Sequence, residues 1–394
     1  MNAAYGNPGE KTVLTDAQTG RTAWRITNSE REDKHTYYDL CPWSPDGKRI
    51  VFSSADPADL TVPQINIMTT QKGKVCLLDT TTYSRTELVH DTFFQTHNGT
   101  PSVWSPDGRS IYYQKSEGVV GVFDVEKGRI KREMKGPLWV AVWWLSPDGK
   151  SFVIHSNDSS TLEGRGMYTM DEDGSHVKLV ASIEELYGMS PYREDFALDS
   201  VNAGIGKWSP DGNYVMFLMW VTEAGNARYI SPAGVQPSLF VSTRDGSRKW
   251  WVGYTGHHQS FTPDSKRIIW GGWKYVSPEC RPGAPDGNAR NRDPRIFMAN
   301  IDGSDTHIVV EKPFAGHPTM DPTCRWIVTS DEGGVVLVDV AEQTVEQLAV
   351  FKPRFSQKHS GTHPHCVWNR DGSQILYNSA ETGHSQLYII PVDL

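Results

Sequence analysis

Histidine carries the chemical signal in this chain of 394 residues. His258, His317 and His365 each stand three residues before a large apolar residue (Phe261, Met320 and Trp368) that opens a recurring turn motif. His363 lies two residues before His365, so on a strand the two side chains share a side. His257 adjoins His258, His359 precedes the His363–His365 pair, and His35 with Tyr38 occupies the comparable approach in the first repeat. Neutral imidazole is a common ligand for Mn, Fe, Ni, Cu and Zn, and His-X-His on a strand presents two donors to one ion. The spacing suggests a metal site. The plainer alternative is a polar rim filled by separate histidines. Recurrence of one position in three successive repeats favours the site.

The elements that must position these residues come from a sevenfold repeat. A large apolar residue, then Ser-Pro-Asp-Gly, then a β-rich run appears from Trp43, Trp104, Leu145 and Trp208. Diverged copies begin at Phe261, Met320 and Trp368. Copies recur every 41 to 63 residues, the range of β-propeller blades. Proline sets φ for the first turn position and Asp-Gly supplies the bend, so the motif reads as a hairpin between two strands, a and b. The β-branched and aromatic alternation after it suits strand b. A second hairpin follows each copy, as in VCLLDTTTYSRTELV and VVLVDVAEQTVEQLAV, giving strands c and d.

The last copy ends at QLYIIPVDL, a strand c with no d. The N-terminal TVLTDAQTGRTAWRIT carries a spare strand in its second half. The expectation is an all-β, seven-bladed propeller forming a single domain over residues 1–394. The N-terminal strand would complete the last blade and close the ring, leaving no exposed edge. The three repeat-register histidines then come from consecutive blades, and His317, His363 and His365 could meet at one point. Long insertions at about residues 56–72, 184–200, 222–236 and 274–294 all fall in b–c or d–a loops, on one face of such a ring.

Composition bounds the partners. A net charge of −8 argues against a nucleic-acid or acidic-membrane partner bound through a global basic field. A small anionic substrate stays open, because a metal or a local basic cluster outweighs the average. No run approaches the roughly 18 apolar residues that span a membrane. No secretory leader opens the chain, and the five scattered cysteines form no CxxC pair, so a reducing cytoplasm is the expected setting. Trp139, Trp143 and Trp144 read as inter-blade packing. The insertion ending at Arg295 could offer an arginine fork to a carboxylate.

HTYYDLCPWSPDG, HHQSFTPD, GHPTMD and THPHCVWNRDG together resemble the oligogalacturonate lyases, within the broader class of TolB-like propellers. The resemblance implies a cytoplasmic seven-bladed propeller that uses a divalent metal, typically Mn²⁺, to cleave short 4-linked uronates by β-elimination. Carried over residue by residue, it places metal ligands at His317, His363 and His365 and the catalytic base at His258. The family's glutamine ligand falls on Ser360, so neighbouring His359 is a candidate fourth ligand. His35, Tyr38, His257 and Arg295 are candidate substrate-binding residues, and the partner would be a small anionic oligosaccharide. Two other readings stand beside this one. The first is a lyase or other metal-dependent enzyme acting on a different uronate-containing glycan. The second is a non-enzymatic TolB-like propeller that binds protein. The sequence leaves the oligomeric state open.

Overall fold

The computed structural model of the chain describes residues 11–60, 71–95, 98–138, 140–160, 162–222, 237–255, 257–271, 295–312, 316–331, 334–350 and 362–393. The fold is a seven-bladed β-propeller: each sequence repeat builds one antiparallel sheet. The chain divides into two compact units.

The first unit takes Met1–Met134 and Thr319–Leu394 and holds four blades. Blade one is Glu32–Lys34, Arg49–Ala55, Gln71–Asp79 and Arg85–Phe94; blade two is Ser102–Trp104, Ser110–Ser116, Val119–Asp124 and Arg129–Met134. Blade six is Thr319–Met320, Trp326–Asp331, Gly334–Asp339 and Thr344–Val350. Blade seven has Val367–Trp368, Gln374–Ser379 and Gln386–Pro391 from the C-terminal segment. Thr22–Arg25 pairs antiparallel with that last strand, Trp24 opposite Ile389. The N-terminal segment thus supplies the missing strand d, from the half expected. It also adds a fifth strand, Thr12–Thr15, paired back on Thr22–Arg25. Apolar faces of successive sheets pack on one another, with Trp43, Ile50 and Phe52 of blade one against Leu376, Leu387 and Ile389 of blade seven.

The second unit, Lys135–Pro318, holds three blades. Blade four is Val201–Trp208, Tyr214–Val221, Ser238–Thr243 and Lys249–Tyr254. Blade five is His257–Phe261, Arg267–Gly271, Ile296–Asn300 and His307–Val310. Blade three departs from expectation. It has three strands, Ser151–Ser156, Gly166–Asp171 and Lys178–Ser182, and a 3-10 turn at Val142–Trp144 where strand a should run. The Trp144 N–H turns back to Ala141 O and Leu145 N–H to Val142 O, and only the Leu145–Phe152 bridge reaches the sheet. A Cβ on Gly206 would lie 2.6 Å from Val153, and one on Gly204 would lie 3.2 Å from the His155 ring. These glycines let strand a of blade four lie close against strand b of blade three. Trp144 is buried, and its carbonyl accepts from Trp208 Nε1 at 3.0 Å, an inter-blade contact.

The turn motif behaves as its residues require. Ser44 Oγ donates to Asp46 Oδ1 at 2.6 Å, the Gly47 N–H to Ser44 O at 2.9 Å, and Gly47 takes a φ of 70°. The diverged copies put Ser265 (φ 61°) and Cys324 (φ 59°) in that left-handed position. In the latter, Asp321 receives the main-chain N–H groups of Thr323 and Arg325, both at 2.9 Å, and so replaces the Ser-Asp pair. The 184–200 insertion is the connection from blade three to blade four and carries helix α1, Ile183–Met189, opened by a Ser182–Glu185 capping box. The 223–236 and 272–294 insertions lie outside the described residues. Among the described residues, Cys41, Cys76 and Cys366 are free thiols, and no helix is long and apolar enough to cross a membrane.

Candidate functional site

The histidines fall into two pairs, one in each unit. In the second unit, strand a of blade five is broken by a bulge: His257 pairs with Gly271, but the next partners are Ser260 and Ile269. His258 sits in the break at φ 68°. A bulge of this kind bends the strand and re-aims a side chain. The result is a ring contact, His258 on His317, with centroids 3.6 Å apart and planes tilted by 33°. Ser260 Oγ donates to Pro318 O at 3.3 Å, tying the two segments together beside the rings. A side chain at Gly271 would come within 3.1 Å of Gly316 O, so glycine admits the His317 segment. His317 is buried and His258 half-buried.

In the first unit, the segment His363–Pro364–His365 leads into strand a of blade seven. The two rings lie 5.5 Å apart. They share a side, though not through regular strand alternation, because His365 adopts a φ of 46°. For a residue with a side chain that conformation costs about 1–2 kcal/mol, so surrounding contacts must hold it. Several do. The main-chain N–H of Asn378, in strand b, donates to Pro364 O at 2.9 Å. Its side-chain Nδ2 donates to His363 O at 3.2 Å. Tyr37 sets its ring edge-on to His365 at 4.8 Å. His365 is fully buried and His363 half-buried. Burial, then the charge of Lys34, lowers the His363 pKa to about 4, so the ring is neutral at pH 7 with a lone pair to offer.

Of the residues proposed to meet substrate, His35 and Tyr38 are both fully buried. His35 Nε2 lies 3.2 Å from Pro364 O. A carbonyl only accepts, so this nitrogen carries the proton. Burial holds the His35 pKa at about 4 despite the neighbouring main-chain carbonyls. The half-buried Tyr37 is a tyrosine that meets His365. Arg295 donates to Glu311 Oε2 at 2.7 Å, and Glu311 is exposed. His257 pairs through its main chain with Gly271, and its side chain lies outside the described residues, as do His359 and Ser360.

Three residues escaped the sequence reading. Lys34 is fully buried, and burial lowers its pKa to about 8, against the pull of Glu32. Tyr37 looked no different from its neighbour. Asn378 had a signal: it is a polar residue following the apolar run Ile375-Leu376-Tyr377 inside a buried strand. Such a residue must find internal partners.

No protein-family model matches the sequence, and no curated protein matches it. Solved structures do. The chain is similar to an oligogalacturonate lyase solved in complex with manganese, at 16% identity over 99% of this chain and 98% of that one, with a TM-score of 0.70. It is also similar to an oligogalacturonate lyase from Vibrio parahaemolyticus, at 15% identity over 99% of both chains, with a TM-score of 0.67. At these identities the likeness establishes the fold.

Proposed function

We propose that the chain is a metal-dependent lyase that cleaves short 4-linked uronates, oligogalacturonate foremost, by β-elimination. The observation that carries this reading is the paired, fixed placement of His363 and His365, together with His317 at the equivalent register of the preceding blade. His317, in the other unit, is proposed as the third ligand on its place in the repeat, which would give three imidazole donors for one ion. The donor chemistry fits a first-row divalent cation: three imidazoles, with His363 neutral at physiological pH. Mn²⁺ is the metal of the similar structure and is the first candidate here. His359 remains the candidate fourth ligand.

A divalent cation at this position supplies charge neutralisation to the substrate C6 carboxylate, making the adjacent C5 proton removable. The chain's own residues do the rest. His258, half-buried on its bulge, accepts the C5 proton through a ring nitrogen, a role suited to imidazole near neutral pH. The C5–H electron pair becomes the C4=C5 double bond. The C4–O bond breaks, the departing oxygen keeps the electron pair of that bond and takes a proton from solvent water, and a 4,5-unsaturated uronate remains. Lys34, buried near enough to His363 to lower its pKa, adds positive potential for an anionic substrate. Arg295 and His257 are the candidate contacts for further carboxylates. The protein is proposed to work in the cytoplasm.

The test is the ultraviolet absorbance of the conjugated unsaturated product, with di- and trigalacturonate, in Mn²⁺ and in EDTA. A metal-dependent rise supports the reading. A flat trace with metal retained moves the substrate to another uronate-containing glycan. A flat trace with no metal bound favours a binding propeller.

A further inference from the structure

We propose that His35 and Asn378 are positioning residues that clamp the main chain between His363 and His365 and so fix the spacing of those two imidazoles. The inference rests on the metal-binding reading above and replaces direct substrate contact as the role of His35.

The clamp is a closed set of hydrogen bonds. The His35 main-chain N–H donates to Asn378 Oδ1 at 3.1 Å. Asn378 Nδ2 donates to His363 O at 3.2 Å. Pro364 O accepts twice, from His35 Nε2–H at 3.2 Å and from the Asn378 N–H at 2.9 Å. Asn378 therefore uses its amide donor and its main-chain donor on residues 363 and 364, and its amide acceptor on His35. Its side chain links blade one, through His35, to blade seven. Both residues are shut off from solvent, at 0% exposure for His35 and 1% for Asn378.

The segment needs such a hold. Proline at 364 offers no N–H, so strand pairing cannot anchor its own position. His365 follows in a left-handed conformation that a side chain disfavours, and such a conformation persists only where surroundings over-determine it. The carbonyls of 363 and 364 are the handles available, and both are taken by the clamp. Residues that orient metal ligands in this way act on affinity without touching the ion.

The test measures Mn²⁺ binding to the full chain by calorimetry, with unfolding midpoints recorded for every variant. Asn378→Leu keeps the branched heavy-atom shape and removes both amide bonds. Asn378→Asp keeps the acceptor and removes the donor to His363 O. His35→Phe removes the ring N–H, and His35→Gln returns an amide N–H near the Nε2 position. Loss of the clamp should weaken Mn²⁺ by about 10- to 100-fold in Asn378→Leu and His35→Phe. His35→Gln should recover most of it, and Asn378→Asp should fall between. Unchanged affinity in the folded variants overturns the clamp. So does a loss that His35→Gln fails to reverse while its unfolding midpoint stays at the wild-type value. If Asn378→Leu does not fold, the Phe and Gln variants of His35 decide the matter. Wild type without a stoichiometric Mn²⁺ site overturns the metal reading itself, and the clamp with it; wild type that binds while the variants bind equally overturns the clamp alone.

Discussion

The two histidine pairs are built differently. His363 and His365 are held through their main chain, by donors to consecutive carbonyls and by a buried asparagine between strands. Their rings stand 5.5 Å apart, leaving space between them. His258 and His317 are instead held ring on ring at 3.6 Å, with the Ser260 hydroxyl bridging their segments. His258 also keeps partial exposure on a strand bulge. A clamped main chain with separated rings suits ligation, which needs fixed geometry. A half-buried ring at an irregular strand suits proton transfer, which needs access to substrate. His317 shares ring contact with the proposed base while being itself a proposed ligand, so it is the residue where the two designs meet.

This contrast breaks first at the ligands. His363→Ala and His317→Ala should each reduce retained Mn²⁺ to background by elemental analysis, with circular dichroism unchanged. Metal content equal to wild type in both would place the site elsewhere. Next comes the base. His258→Ala should keep the metal and lose about 10²- to 10⁴-fold in turnover, and full turnover would remove His258 from the chemistry.

Acid should act on both units through buried histidines. His35 and His363 in the first unit and His155 in the second have pKa values lowered to about 4 from 6.5, with burial the leading cause. Between those values the unfolded chain binds protons that the folded chain refuses. Their contribution to stability is complete above pH 6.5 and is lost as pH falls toward 4. The slope is at most about 1.4 kcal/mol per pH unit for each residue. Urea titrations at a series of pH values would measure it, and His155→Phe should flatten the slope without affecting Mn²⁺.

Smaller effects sharpen the contrast. Gly206→Ala drives a methyl to 2.6 Å from Val153 and should cost about 1–3 kcal/mol in denaturant stability while leaving Mn²⁺ affinity intact. Arg295→Ala breaks a pair with an exposed glutamate, worth no more than about 1 kcal/mol to stability. A rise in KM in that variant would assign Arg295 to substrate.

Much of this protein is written locally. The Ser-Pro-Asp-Gly turns, the strand alternation after them and the spare N-terminal strand were legible because turn chemistry and two-residue periodicity act over a few residues. Even the diverged turns at Ser265 and Cys324 kept the left-handed bend that their place in the repeat demanded. The candidate ligands were proposed on the same ground, since a repeat relates sequence position to spatial position. Blade three departs from the repeat at Val142–Trp144, where residues that favour strands form a 3-10 turn, beside a blade four whose glycines let its first strand lie against strand b.

The sequence by itself determined the number of blades, the strand order and the register shared by His258, His317 and His365. Tertiary structure alone decided what each side chain does there. Left-handed φ values at His258 and His365 turn rings away from the directions that strand alternation would give them. His35 is buried with its Nε2 on the Pro364 carbonyl, and its main-chain N–H donates to Asn378, distant in sequence. These are non-local hydrogen bonds and backbone irregularities, set by which segments the fold brings together, and no periodicity along the chain encodes them.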